Sequence, residues 1–182
     1  MRVITGTARG RKLETLDGLD VRPTTDRVKE AMFSSIQFEI EGATVLDLFA
    51  GSGQLGIEAL SRGANKCFFA DNSASSVAVV KKNLQTTKLT DQAVVSLSDY
   101  KTFLSTVNAN FDIVFIDPPY ALDVIEEILT LLDKKTSDSV KILYEHGIEK
   151  QLPEKVGRFT LKKNYKYSKT VVTLYVSESD NL

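Results

Sequence analysis

From residue 43 onward, short runs of apolar residues alternate with segments in which apolar residues recur every three or four positions. The runs are rich in Val, Ile and Phe, which is typical of buried strands, whereas the spacing of three and four is typical of helices. The strand-like runs are residues 43–50, 66–71, 93–98, 111–117 and 140–146. This alternation predicts an α/β fold in which a mostly parallel sheet carries helices on both faces.

Two further apolar runs follow near the end of the sequence, at residues 158–165 and 169–176. Apolar and polar residues alternate within them, and the runs are close enough together to form a hairpin. We therefore expect a seven-stranded sheet whose C-terminal edge is antiparallel.

The first 40 residues show a different pattern. Residues 1–6 predict a short strand, and residues 24–40 predict a helix with Thr25 or Asp26 as its N-cap. The segment has too few apolar residues for a core of its own. We therefore interpret residues 1–40 as a short N-terminal appendage and residues 41–182 as the main domain, together forming one compact unit.

The composition narrows the class of protein. The single cysteine, Cys67, cannot form an internal disulfide, and neither a signal peptide nor a long apolar run is present, which favours a cytoplasmic protein without a membrane partner. His146 is the only histidine and there is no cysteine pair, so we expect no metal site. Cys67 lies between apolar strand residues and is interpreted as a buried thiol rather than a nucleophile, and His146 as a turn residue rather than a general base.

Charge is distributed unevenly along the chain. Residues 1–12 carry four basic residues and no acid, and residues 155–176 carry six and no acid, although the net charge is only −1. Basic ends of this kind indicate a polyanionic partner. Solvated lysines on an edge hairpin, where charge discourages aggregation, are an equally good explanation.

A glycine-rich turn follows the first predicted strand. Residues 51–56 read Gly-Ser-Gly-Gln-Leu-Gly, which matches the G-x-G-x-x-G of dinucleotide-binding turns. In an open α/β sheet the ligand lies at the carboxyl ends of the strands, so Gly51 and Gly53 would let the backbone approach a cofactor. Asp71, at the end of the second strand, is placed to accept hydrogen bonds from a ribose. These features suit either NAD or S-adenosylmethionine.

Asp47 distinguishes the two cofactors. A carboxylate four residues before Gly51 would repel a pyrophosphate, whereas it would attract the ammonium of a methionine moiety. Asp47 therefore favours S-adenosylmethionine, although a structural carboxylate that caps nearby amides is also possible. Asp99, at the end of the third strand, can bond an adenine edge or serve as the N-cap of the following helix.

The segment Asp117-Pro118-Pro119-Tyr120 comes directly after the fourth strand. The two prolines fix their own φ and remove two N–H donors, which leaves a rigid corner with a carboxylate, a carbonyl and an aromatic ring. This combination fits an exocyclic amine on a planar base, because the amine needs two acceptors and the base needs a stacking surface. A strand-ending turn with a capping aspartate is the structural alternative.

In these motifs and in their order along the chain, the sequence resembles the bacterial 16S rRNA (guanine966-N2)-methyltransferases. The matching segments are "MRVITGTARGRKL", "RPTTDRVKEAMFSSI", "VLDLFAGSGQLGIEALSRGA", "DPPY" and "YKYSKTVVTLYV", which cover nearly the whole chain in the same order. Two departures exist: Gln54 stands where a small residue is commoner, and "YSKT" replaces Tyr-Gly-x-Thr, which bears on the role of Tyr167.

The resemblance implies a Rossmann-like class I methyltransferase fold, S-adenosylmethionine as the cofactor and 16S rRNA as the partner, in the small ribosomal subunit or its assembly intermediate, with no obligate protein partner. The expected catalytic residues are Asp117, Pro118, Pro119 and Tyr120. The expected cofactor-binding residues are Thr24, Asp47, Phe49, Ala50, Gly51, Ser52, Gly53, Asp71, Asn72, Ser98 and Asp99. The expected RNA-binding residues are Arg2, Arg9, Arg11, Arg22, Lys162, Lys163 and Tyr167, so that residues 1–40 would be an RNA-binding appendage.

Other functions remain open from the sequence alone. Methylation of adenine N6 in DNA and of glutamine in protein are the nearest ones, but Asp rather than Asn at position 117 argues against glutamine, and the lack of a separate recognition domain argues against site-specific DNA. A dehydrogenase and a non-enzymatic RNA-binding module are the alternatives from other classes.

Overall fold

The computed structural model describes residues 1–16 and 26–177. The helices are α1 (Asp26–Ser34), α2 (Gln54–Ser61), α3 (Ala74–Thr87), α4 (Tyr100–Thr106) and α5 (Ile125–Leu132), with a 3₁₀ turn at Thr90–Gln92. The strands are β1 (Thr44–Leu48), β2 (Lys66–Asp71), β3 (Ala93–Leu97), β4 (Phe111–Ile116), β5 (Thr136–Gly147), β6 (Lys155–Val156), β7 (Phe159–Tyr167) and β8 (Thr170–Ser177).

The described strands form one eight-stranded sheet in the order β3-β2-β1-β4-β5-β8-β7-β6. Strands β1 to β5 pair in parallel, while β8 pairs antiparallel with both β5 and β7. The predicted α/β fold with an antiparallel C-terminal edge is confirmed, and all seven strands predicted for the sheet are present. The additional strand is β6, whose two residues are too few to show a period in the sequence.

Successive residues of a strand point to opposite faces of the sheet. Helices cover both faces, so apolar residues on either side of a strand are buried. Val45 and Ile113 pack in one core with residues of α1, α2 and α3, whereas Leu46 and Val114 pack in a second core with residues of α4 and α5. Burial on both sides explains why β1 and β4 are mostly apolar, although each contains one aspartate, Asp47 in β1 and Asp112 in β4.

The order of the strands reverses between β1 and β4, which lie side by side in parallel. Their carboxyl ends therefore open at the same edge of the sheet, where ligands bind in folds of this type. The glycine turn follows β1 and the Asp-Pro-Pro-Tyr segment follows β4. The chain order thus brings the two most informative sequence segments to one place.

The N-terminal segment packs along α2. Val3 and Leu13 are buried in the core shared with α1 to α3, and the backbone N–H groups of Ile4 and Thr5 donate to the Glu58 carboxylate at 2.8 and 3.0 Å. Glu58 is fully buried on α2. The segment is therefore held by buried charge-assisted hydrogen bonds as well as by apolar contacts.

A buried ion pair joins α1 to the same carboxylate. Lys29 lies 3.4 Å from Glu58, and both side chains are fully buried. The Lys29 ammonium also donates to the carbonyl of Arg2 at 2.8 Å. Burial lowers the pKa of Lys29, while the Glu58 charge opposes that effect. Removal of one partner would leave the other charged and buried, so this pair ties α1, α2 and the N-terminal segment together.

Two local predictions differ from the structure. Residues 24–40 were expected to be helical, but the described helix is only α1, Asp26–Ser34, followed by turns. The Ser35 hydroxyl donates to the carbonyl of Met32, which competes with continuation of the helix. The strand expected at residues 1–6 is a single bridge between Arg2 and Lys12. Thr25 lies outside the described residues.

Candidate functional site

The glycine turn adopts left-handed backbone conformations. Gly51 has φ of 55° and Gly53 has φ of 77°, and Phe49 has φ of 65°, which is unusual for a bulky residue. A Cβ atom added to Gly51 would meet no atom within 4 Å, whereas one added to Gly53 would lie 3.2 Å from Val80 of α3. Gly51 therefore leaves open space in front of the turn, and Gly53 permits close contact with α3.

Gly56, the third glycine of the pattern, is a packing residue. A Cβ atom there would lie 2.3 Å from the Phe69 ring and 2.6 Å from the Cys67 sulfur, so α2 could not approach β2 so closely with any other residue. Cys67 is fully buried, and burial raises the pKa of its thiol well above the ordinary value. The interpretation of Cys67 as a buried thiol is confirmed.

Asp47 is buried beneath the turn. Its carboxylate accepts a hydrogen bond from the backbone N–H of Gly56 at 2.8 Å, near the N-terminus of α2. Burial raises the pKa of Asp47 to about 7; the Gly56 hydrogen bond lowers it and the Asp71 charge raises it. This contact is the amide-capping role that was the structural alternative predicted for Asp47. A carboxylate has several lone pairs, so this contact leaves Asp47 with acceptor capacity for a cationic ligand.

Asp71 connects the end of β2 to the turn. One carboxylate oxygen accepts from the Gly51 N–H and the other from the Ser73 N–H, both at 2.9 Å. The Ser98 N–H, at the end of β3, donates to the Asp71 carbonyl at 2.9 Å. The ends of β1, β2 and β3 are thereby joined in one hydrogen-bonded edge.

Asp99 is the N-cap of α4. Its carboxylate accepts from the Thr102 N–H at 3.0 Å and from the Thr102 hydroxyl at 2.7 Å, and these bonds lower the pKa of Asp99. Of the two roles predicted for Asp99, the structure shows the helix N-cap. This role is compatible with the other one, a hydrogen bond to an adenine edge. Asn72 is exposed on the same edge.

Gln54 has an unsatisfied group. Its side-chain carbonyl oxygen is buried and has no hydrogen-bond partner. It begins α2 directly after Gly53. A buried acceptor without a donor is costly, so this oxygen is available to an N–H or O–H donor of a ligand at the turn.

The Asp-Pro-Pro-Tyr corner lies beside the glycine turn. The Asp117 N–H approaches the Leu48 carbonyl at the end of β1 at 3.4 Å. Burial, followed by the negative charges of Glu145 and Asp47, raises the pKa of Asp117 well above its ordinary value. The negative charges of Asp47 and Glu145 thus act on Asp117 from close by, which favours binding of a positively charged ligand.

Glu145 and Thr170 are site residues that the sequence analysis did not identify. Glu145 is buried near the end of β5, one residue beyond Tyr144, which pairs with Ile116. The Tyr120 hydroxyl lies 3.1 Å from the Thr170 hydroxyl and donates to the Glu145 carboxylate at 3.4 Å. The only sequence signal for Glu145 was its position near the carboxyl end of a parallel strand adjacent to the one that precedes Asp117.

Asn83 of α3 is a further residue that sequence patterns missed. Its buried side chain exchanges two hydrogen bonds with the backbone of Glu14, at 2.8 and 3.0 Å, and donates to the Ser52 carbonyl at 2.9 Å. One amide therefore fixes both the N-terminal segment and the glycine turn. Nothing in the local sequence distinguishes it from an ordinary helix residue.

The predicted RNA-binding residues are spread over the surface. Tyr167 ends β7 and pairs with Thr170, so it lies at the site edge of the sheet, and Lys162 and Lys163 lie earlier on β7, on the order of 15 Å away along the strand. Arg2 is exposed beside Asp26, and Arg11 donates to the Thr86 carbonyl at 3.0 Å.

Arg9 is exposed in the turn that contacts Ser61, at the opposite end of α2 from the glycine turn. Arg22 and Thr24 lie outside the described residues. The structure therefore brings Tyr167 close to the site and leaves Arg9, Lys162 and Lys163 farther away.

Residues 1–16 and 26–177 show no membrane-spanning helix and no metal-binding cluster. Over these residues no helix has the length and apolar character needed to cross a membrane. The same residues contain no group of three or more His, Cys, Asp or Glu side chains that could hold a metal ion. His146 was expected in a turn, but it lies within β5 and is buried. It bonds the Thr173 hydroxyl at 2.8 Å and stacks on Tyr144, and burial lowers the pKa of the imidazole.

Comparison with known proteins adds independent findings. A model of the family described as "Conserved hypothetical protein 95" matches residues 1–176. The chain is 36% identical over 181 residues to ribosomal RNA small subunit methyltransferase D of Escherichia coli K12, covering 98% of this chain and 91% of that protein. It is 41% identical over 180 residues to YlbH of Bacillus subtilis, covering 96% and 98%. The solved structure of yhhF from Escherichia coli superposes with a TM-score of 0.88 at 37% identity, covering 99% of both chains.

Proposed function

The chain belongs to the conserved hypothetical protein 95 family, and from this premise we propose that it transfers a methyl group from S-adenosylmethionine to the exocyclic N2 amine of a guanine in small-subunit rRNA. The observation that carries the proposal is the acceptor corner of Asp117 and Pro118 beside the glycine turn, with the Tyr120 ring next to it. Membership of the family supports the methyltransferase class, and the corner supports an amine as the methyl acceptor.

The residues at the turn fit S-adenosylmethionine. Open space in front of Gly51 admits a ligand close to the backbone. The buried Asp47 carboxylate and the unpartnered oxygen of Gln54 suit an ammonium, which offers several N–H donors. Asp71 retains acceptor capacity for ribose hydroxyls, and Phe49, Ala50, Ser52, Gly53, Asn72, Ser98 and Asp99 would complete the binding residues. A pyrophosphate would face the negative charges of Asp47 and Asp71 and be repelled by them, which disfavours NAD.

Bound S-adenosylmethionine would supply a methyl group on a positively charged sulfur, which is a good leaving group. The protein has to make a weakly nucleophilic amine reactive. The Asp117 carboxylate and the Pro118 carbonyl would accept the two N–H hydrogens, so that the nitrogen lone pair points away from the ring system. Asp117 would then receive the proton that the nitrogen loses after transfer, because burial and the neighbouring carboxylates raise the pKa of Asp117.

The RNA has to deliver its guanine unpaired, because a base in a helix hides its amine in a pair or a stack. The Tyr120 ring is 46% exposed at the site and would stack on the delivered base. Arg2, Arg9, Arg11, Arg22, Lys162, Lys163 and Tyr167 would hold the strand by phosphate contacts and stacking. The net charge of −1 supplies little general attraction to RNA, which favours a folded ribosomal particle as the substrate.

Labelled methyl transfer to purified 16S rRNA, small ribosomal subunits, DNA and protein, followed by nucleoside analysis, tests the proposal. We expect N2-methylguanosine from the ribosomal substrates. Asp117→Ala should leave donor affinity nearly intact and lower the turnover at least a hundredfold, because positioning and acceptor electrostatics supply most of the catalysis. Asp91→Ala, at an exposed aspartate before β3, is the matched control. N6-methyladenosine in DNA or unchanged turnover of Asp117→Ala would refute the proposal.

A further inference from the structure

The ring of Tyr120 is held at its hydroxyl end. Its hydroxyl lies 3.1 Å from the Thr170 hydroxyl and 3.4 Å from a Glu145 carboxylate oxygen. One side of the ring lies over Gly147, where an added Cβ would be 3.4 Å from the ring. Glu145 and Thr170 are each 5% exposed, whereas Tyr120 is 46% exposed. The hydroxyl therefore points into protein while the ring remains accessible.

Such an arrangement is not required by the local backbone. Tyr120 follows two prolines and lies in a turn, where its side chain would otherwise sample several rotamers. Thr170 begins β8 and pairs with Gly147 at the end of β5, so its hydroxyl has a position fixed by the sheet. The 3.1 Å contact is the better hydrogen bond, and the 3.4 Å contact to Glu145 is a weaker one.

We propose that Thr170 is a positioning residue that holds the Tyr120 ring in place for the substrate base, with the Glu145 carboxylate, which accepts from the Tyr120 hydroxyl, as the second contact of the anchor. This inference rests on the proposed function only in taking the stacking partner to be an RNA base. A ring that is already ordered does not have to be immobilised when the base stacks on it, and side-chain immobilisation lowers affinity by roughly two- to tenfold.

Steady-state kinetics on the small ribosomal subunit give the first test. Thr170→Val keeps the shape but removes the hydroxyl, and Tyr120→Phe keeps the ring but removes the other half of the contact. Each should raise the KM for RNA by roughly fivefold with a smaller change in kcat, because stacking acts on substrate and transition state alike. The KM for the methyl donor should not change. The double variant should be no worse than either single one, and Thr170→Ser should restore the wild-type KM.

Thr173→Val is the matched control. It also removes a buried hydroxyl from β8, but that hydroxyl bonds His146 and Asn164 instead of Tyr120. It should reduce thermal stability without raising the KM for RNA. A fivefold effect of Thr170→Val that persists in the Tyr120→Phe background would overturn the anchor, as would a KM increase in Thr173→Val of the same size.

Fluorine NMR separates the anchor from the proposed function, since it needs neither RNA nor donor. The chain has six tyrosines, so incorporation of 3-fluorotyrosine gives a small set of resonances, and the Tyr120 resonance is the one missing in Tyr120→Phe. Thr170→Val should shift or broaden this resonance, and Thr170→Ser and Thr173→Val should leave it in place. An unshifted resonance in Thr170→Val would refute the anchor. Failure of the wild type to methylate the ribosomal subunit would refute the substrate, and the spectra would still decide the anchor.

Discussion

Replacement of Asp47 by asparagine should stabilise the protein at pH 8 and weaken binding of the methyl donor. Asparagine keeps an acceptor for the Gly56 N–H, which Asp47 accepts at 2.8 Å, but carries no charge. Asp47 is 2% exposed, and a buried carboxylate without a cationic partner is unfavourable in its ionised form. The substitution therefore removes a buried charge while it retains the hydrogen bond.

The size of the effect follows from the pKa. Burial raises the pKa of Asp47 from 3.8 to about 7, and each pKa unit corresponds to about 1.36 kcal/mol. Because the folded state holds the proton more tightly than the unfolded state, the contribution of Asp47 to stability falls as the pH rises from about 4 to about 7. The unfavourable contribution is about 4 kcal/mol at pH 8 and roughly 1.7 kcal/mol at pH 5.

Chemical denaturation at pH 5 and pH 8 measures this difference. The chain has no tryptophan, so circular dichroism is the suitable signal. Asp47→Asn should be more stable than the wild type by about 4 kcal/mol at pH 8. At pH 5 this stabilisation should be smaller by roughly 2 kcal/mol. Asp112→Asn is the control for charge loss, since Asp112 also accepts a backbone N–H, from Thr44 at 2.9 Å, but is only partly buried.

Calorimetric titration with S-adenosylmethionine completes the test. Loss of a hydrogen bond to a charged group weakens binding by about 10- to 100-fold, so Asp47→Asn should lose donor affinity although it is more stable. Equal stabilisation at both pH values would refute the argument from burial. A variant that is less stable than the wild type at pH 8 would do the same, and unchanged donor affinity would remove Asp47 from the cofactor site.

Three further outcomes are expected. Ser168→Gly should raise the free energy of unfolding by about 1 kcal/mol, measured by denaturation, because Ser168 has φ of 57° in the β7–β8 turn. Gly56→Ala should lower it by about 1–3 kcal/mol, because the new methyl group would lie 2.3 Å from Phe69; a neutral result would contradict the close packing. Asn83→Ala should lower the melting temperature and also donor affinity, because it frees the Ser52 carbonyl, and unchanged affinity would limit Asn83 to the N-terminal segment.

The parts of the fold that could be predicted are those set by local periodicity. The runs at residues 43–50 and 111–117 are buried on both faces, so they are mostly apolar and easily recognised. The position of the site followed from the rule that parallel strands open their carboxyl ends at one edge. The helix at residues 24–40 was predicted too long because its periodicity continues through residues that fold as turns.

The parts that could not be predicted depend on contacts between distant residues. Glu145 lies 25 positions from Tyr120 in the sequence and Thr170 lies 50 positions from it, so no window shows that they meet. Asn83 and Glu58 occupy ordinary helical positions, and their buried partners belong to the N-terminal segment. The structural or functional role of these residues depends on tertiary contacts, which local sequence does not show.

These two groups of residues should respond in opposite ways to substitution. At the ligand edge, the buried carboxylates of Asp47 and Asp117 and the left-handed Phe49 are unfavourable in the free protein. Away from it, the buried side chains of Glu58 and Asn83 accept hydrogen bonds from the backbone of the N-terminal segment. Substitutions that remove the charge of Asp47 or Asp117, or the Cβ of Phe49, should therefore increase stability and reduce activity. Substitutions of the second group should reduce stability first. A buried carboxylate whose removal stabilises the chain is one that the structure retains for a ligand rather than for folding.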